Sequence, residues 1–140
     1  MPEGLGAIKA ATRANYAVAR FKPSGVRDTA FSGDGKLQVD FGEFLLDGAS
    51  GVVVDGSGRI TVSGGSQIRK SAGDFSVCRI SPGGALDSAF DGDGRRIIDF
   101  GGSEGAFGMT IQSDGNTVLV GHTKPNRTRG RVAVIRLLDE

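Results

Sequence analysis

The chain has 140 residues, 38% of them hydrophobic, with 17 basic and 16 acidic side chains and a net charge of +1. That length suffices for one domain with a real core, and the charge balance excludes a polyanion-binding role carried by overall charge. The single cysteine, Cys78, excludes an internal disulfide and any cysteine-based zinc site.

Glycine is the unusual component: the chain holds 24 glycines and only 4 prolines. They follow no triplet period, so collagen is excluded. Glycine at this density means many tight turns, and many turns mean many short strands. The N-terminal stretch MPEGLGAIKA has no apolar segment of the signal-peptide kind, so no signal peptide is expected. No run approaches the ~18 apolar residues of a membrane helix, so no membrane insertion is expected.

In chain order, the first legible strand covers residues 16–21 (YAVARF). Its alternation puts Tyr16, Val18 and Arg20 on one face and Ala17, Ala19 and Phe21 on the other. Residues 22–25 (KPSG) predict a turn, and residues 37–41 a strand. Next, β-branched residues 52–54 and 60–62 flank the turn-forming tetrapeptide 55–58 (DGSG), which predicts a hairpin. Residues 75–80 alternate as residues 16–21 do, residues 81–84 (SPGG) form a turn, and residues 97–100 a strand. Residues 109–111 and 118–120 flank Ser113-Asp114-Gly115 in a second hairpin, and residues 132–137 alternate once more. No stretch of about ten residues holds a 3.6-residue apolar period, so almost no helix is predicted.

These elements repeat. Residues 29–42 (TAFSGDGKLQVDFG) match residues 88–101 (SAFDGDGRRIIDFG) at a spacing of 59, and residues 49–64 match residues 106–121 at a spacing of 57. The alternating segments starting at Tyr16, Phe75 and Val132 are spaced by 59 and 57. Three signatures that keep one order and one period predict a repeat architecture. Four antiparallel strands per unit describe a β-propeller blade, which buries its two faces only by stacking on neighbouring blades. The fold class is therefore all-β: β-propeller-like, four-stranded antiparallel blades in a single repeat domain, residues 1–140. It holds a partial blade over residues 6–42, a full blade over 48–101 and a partial blade over 105–138. A closed propeller has ~4–8 blades. Completion is expected through self-association by blade faces or edges, or through sequence outside this chain. A piece excised or designed out of register with the blade is the third possibility.

The segment 75–90 (FSVCRISPGGALDSAF), Gly92-Asp93-Gly94, residues 98–101 (IDFG) and residues 111–115 (IQSDG) resemble the bacterial delta-60 repeat. The shared pattern is an F-x-x-x-R strand, a G-x-ϕ-D-x-x-F turn, a D-F-G strand end and a D-G hairpin. The resemblance runs from about residue 15 to residue 138. It implies a propeller-like fold in long, surface-associated or exported bacterial proteins, and no defined activity. The extracellular or cell-surface setting rests on that resemblance alone.

Candidate chemistry is sparse. Cys78 takes the repeat position of Ala19 and Ile135 and reads as a packed thiol. His122, the only histidine, reads as a loop residue; it forms no histidine pair for a metal, and no nucleophile elbow accompanies it. Asp91-Gly92-Asp93-Gly94 and Ser32-Gly33-Asp34-Gly35 have the flavour of calcium loops but lack further oxygen donors, and turn chemistry explains them. No metal or cofactor is expected. The two glycine pairs follow no strand-to-helix unit, so they are no dinucleotide fingerprint. The sequon at residues 126–128 (NRT) carries no weight in a bacterial protein.

Arg20, Arg79 and Arg136 recur, as do Asp28 and Asp87, and Asp40 and Asp99. The expectation is an Arg–Asp pair in each unit, against an arginine ring around a central anion site. The loops before each alternating strand are basic, giving an anion-binding candidate: Lys9, Arg13, Arg69, Lys70, Lys124, Arg127 and Arg129. Glu43, Asp47 and Glu104, on connections at the same end, partly cancel it. No aromatic interleaves the basic residues, so nucleic acid is not the expected partner. The favoured reading is a non-catalytic interaction module with an unidentified protein or glycan ligand. The alternative is a central-channel glycan lyase or hydrolase using Asp40 and Asp99, on fold-level analogy only.

Overall fold

The computed structural model describes residues 14–42, 45–68, 73–125 and 129–139. Among them are nine strands and no helix, and so no helix long and apolar enough to cross a membrane. The first sheet joins β1 (Tyr16–Ala19) and β2 (Lys36–Val39). The second joins β3 (Leu45–Val54), β4 (Ile60–Ile68), β5 (Gly73–Ile80) and β6 (Arg95–Ile98) in that order. The third joins β7 (Gly102–Ile111), β8 (Thr117–Pro125) and β9 (Arg131–Leu137). Every strand pairing within the three sheets is antiparallel, and within each sheet neighbouring strands are consecutive along the chain, so the fold is all-β.

Registers recur at the spacing of the sequence signatures. Tyr16 pairs with Val39 and Phe75 with Ile98, each pair 59 residues from its counterpart. A bulge interrupts β3 between Ala49 and Gly51, and β7 between Ala106 and Gly108. β3, β4, β7 and β8 run well beyond the apolar triplets that predict them, through glycine-rich stretches that read as loop by composition. β2 and β6 instead stop short of the expected ends. There Asp40 accepts the Gly42 N–H at 2.9 Å and Asp99 the Gly101 N–H at 2.5 Å, and those local bonds turn the chain out of the ladder.

The three sheets pack in series. One core joins Tyr16 and Val39 of the first sheet to Ile60, Val62, Cys78 and Ile80 of the second, with Phe31 from the β1–β2 connection. The other joins Phe75 and Val77, on the opposite face of the second sheet, to Ala106, Leu119 and Ala133 of the third. The expected alternation of β5 therefore holds: Phe75 and Val77 face one neighbour, Cys78 and Ile80 the other. Two glycines make this approach possible. A β-carbon on Gly64 would lie 2.7 Å from the Tyr16 hydroxyl, and one on Gly121 the same distance from Phe75 Cε1. The buried Tyr16 hydroxyl is satisfied across the same seam, donating to the Ser76 carbonyl at 2.9 Å and lying 2.6 Å from the Ser76 hydroxyl.

Candidate functional site

The recurring arginines are structural clamps. Arg20 Nε donates to Asp28 at 2.8 Å, Nη1 donates to the Pro82 carbonyl of the next unit at 2.6 Å, and the guanidinium lies 4.9 Å from the centre of the Phe31 ring. Arg79 does the same with Asp87 at 2.7 Å, Asp139 at 3.0 Å and the Phe90 ring at 5.2 Å. Arg20 therefore ties the β1–β2 connection to the chain that follows β5, and Arg79 ties the β5–β6 connection to the chain that follows β9. Asp139 also accepts from Arg59 at 2.6 Å, which fastens the β3–β4 hairpin to the chain after β9. Arg136 is held by Gln112 at 2.7 Å and Asp114 at 2.6 Å. The pairing reading of Arg20 and Arg79 is the one observed, with Nε and Nη1 of each engaged within the protein.

Of the predicted anion-binding loop residues, Lys9, Arg13, Arg69, Lys70 and Arg127 lie outside the described residues. Lys124 and Arg129 are exposed, Lys124 within β8 rather than in a loop. His122 also lies within β8, not in a loop, and stacks on Phe107 at 5.0 Å between ring centres. Glycine and proline around it misled the boundary; the strand continues because Gly105 and Gly102 on β7 give it a partner. Cys78 is fully buried, and burial pushes its thiol pKa up to about 12, which makes it inert packing. Asp93 and Asp34 each accept the N–H two residues on, Asp93 also pairing with Arg95, as turn chemistry requires.

Asp47 and Glu104 are not on exposed connections either: both lie inside strands, β3 and β7, and are buried. Glu104 brings together a cluster that composition does not reveal. Carboxylate oxygens of Asp74 on β5, Asp99 after β6 and Glu104 on β7 all lie within 4.8 Å of one another. Among the described residues none of the three forms an ion pair. Burial, then the charges of Asp99 and Glu104 and a side-chain hydrogen bond with Glu104, raise the Asp74 carboxyl above its ordinary value. A cleft beside the cluster is lined by Ser66, Gly73, Ser103, Glu104 and His122. Asp40 and Asp99, the alternative catalytic pair, sit at the ends of the edge strands β2 and β6, and only Asp99 joins the cluster. The sequence signal for the cluster exists only once units are superposed: Asn15/Asp74, Asp40/Asp99 and Asp47/Glu104 occupy matching positions.

The remaining notable surface is apolar. On the outer face of the third sheet Val132 is 76% and Val134 63% exposed, with Phe107 and Val120 beside them. Their counterparts on the second sheet, Phe75 and Val77, are 0% exposed. No protein-family model matches the chain, and no curated protein matches it.

Proposed function

We propose that the chain is a non-catalytic β-propeller-type repeat module, an interaction scaffold whose open sheet faces associate with the sheets of a second copy. The observation that carries this is the contrast between Phe75/Val77 and Val132/Val134. Equivalent faces of the first and second sheets are buried against the next sheet, while that of the third is open. At the other end of the series, Ala17, Ala19 and Phe21 are exposed, whereas Cys78 and Ile80 at matching positions are buried. The two open faces are thus the two halves of an interface that the chain already forms twice. Such a contact is heterologous: it joins unlike faces, and it yields a ring where the rotation closes. Exposed contiguous apolar surface of this kind marks an interaction site. The resemblance to the delta-60 repeat is the ground for proposing a bacterial, surface-associated or exported setting.

Light scattering on the purified chain at micromolar concentration tests the proposal. A defined oligomer that Val134→Glu converts to folded monomer is the expected result. A folded monomer at every concentration overturns it.

A further inference from the structure

We propose that Asp74, Asp99 and Glu104 form a binding site for a hard divalent cation of the calcium type, which ties the second sheet to the third. Three anionic groups converge without any cationic side chain among the described residues in ion-pair range. A second observation points the same way. Glu104 is 4% exposed; its Oε1 accepts from the Thr123 hydroxyl at 2.8 Å, and its Oε2 is buried without any hydrogen-bond partner. Leaving a buried carboxylate oxygen unpaired is costly, and a coordinated ion removes that cost. Ser66, whose buried hydroxyl also lacks a partner, lines the cleft that Glu104 borders.

The donor set selects the ion. All three donors are carboxylates, with no cysteine or histidine among them, which favours a hard cation over zinc. Two oxygens bound to one ion are separated by at most twice the bond length. Calcium, with bonds of about 2.3–2.6 Å, accepts donors up to about 5 Å apart; magnesium, at about 2.1 Å, accepts about 4.2 Å and demands octahedral order. Donor oxygens that all lie within 4.8 Å of one another fall inside the span calcium accepts. Asp99 is exposed, so water completes the coordination from its side. Matching positions between the first and second sheets hold Asn15, Asp40 and Asp47; there Asn15 Oδ1 and Asp47 Oδ1 are likewise buried without a partner, but an amide replaces one carboxylate and lowers the charge. The Asp74 site is therefore the stronger of the two.

Calcium chloride titrated calorimetrically into the chelator-treated full chain, with thermal unfolding in parallel, tests this. Saturable binding with a Kd of about 10⁻⁵–10⁻³ M and a Tm rise of roughly 5–10 °C at saturation are expected. Asp99→Asn should weaken binding at least about tenfold, as expected from losing one charged ligand, and Glu104→Gln should abolish it. Should Glu104→Gln fail to fold, the exposed Asp99→Asn carries the test. Without calcium, Asp99→Asn should leave Tm unchanged or raise it, because it relieves repulsion; with calcium it should lower Tm. An unchanged Tm at ~10 mM calcium, well above that Kd range, would overturn the proposal. So would an equal rise with magnesium, or wild-type binding by the variants.

Discussion

Phe75 on β5 and Gly121 on β8 meet so closely that a β-carbon at 121 would lie 2.7 Å from the ring and would also run into the Gly105 carbonyl. Tyr16 and Gly64 stand in the same relation one unit earlier. An aromatic ring seated on a glycine of the next sheet is how successive sheets approach. Gly121→Ala should therefore destabilise the fold by on the order of 3 kcal/mol, at the upper end of overpacking costs, because backbone as well as ring must move. Urea unfolding should show a lowered midpoint with an unchanged m-value. Gly108→Ala, with no atom closer than 4.0 Å, is the control and should cost no more than intrinsic strand effects.

The two arginine clamps differ in burial, and their truncation should differ accordingly. The Arg79 side chain is 8% exposed and that of Arg20 33%. Arg79→Ala strands Asp87 and removes one of the two arginines that bind Asp139, and should cost about 2–3 kcal/mol. Arg20→Ala should cost about 1 kcal/mol, since solvent replaces its bonds. Arg79→Lys should recover little, because one ammonium cannot serve Asp87, Asp139 and the Phe90 ring together. Chemical denaturation of the three variants measures the order.

Alkaline pH should weaken the fold through Cys78 and Tyr16. An unfolded thiol titrates near 8.5, whereas burial holds that of Cys78 at about 12. Between those values the folded chain keeps a proton that the unfolded chain has lost, so stability is full below about pH 8.5 and falls as pH rises toward 12. Burial likewise raises the Tyr16 phenol, adding a fall of the same sign above its ordinary value. Unfolding midpoints between pH 8 and 11 should decline less steeply for Cys78→Ala than for the natural chain. Equal slopes would show that the thiol is not the source. At neutral pH the native protein should resist thiol alkylation that proceeds readily in denaturant.

Much of this architecture is legible in the residues. Alternation in residues 16–21, 75–80 and 132–137 sorts their side chains onto the two faces that the sheets use, and the order of strands follows from turns at proline, glycine and Asp-Gly pairs. The glycine-rich halves of β3, β4, β7 and β8 are not legible. Their glycines look like loop, yet they serve inter-sheet contact, a demand that no local propensity expresses. For the same reason Asp47, Glu104 and His122 read as loop residues. The acidic cluster depends on Asp74, Asp99 and Glu104 meeting where three strands end or begin, and such proximity becomes visible only when the sheets are stacked.

The open face of β9 offers the most direct measurement. In a Cys78→Ala background, the thiol introduced by Val134→Cys reports whether another sheet covers that face. Its rate of reaction with a bulky thiol reagent should be fast at high dilution and should fall severalfold as protein concentration rises and copies associate, since mass action fills the interface. A rate that stays fast and independent of concentration, with the protein folded throughout, would contradict the assignment of this face as an interface between copies.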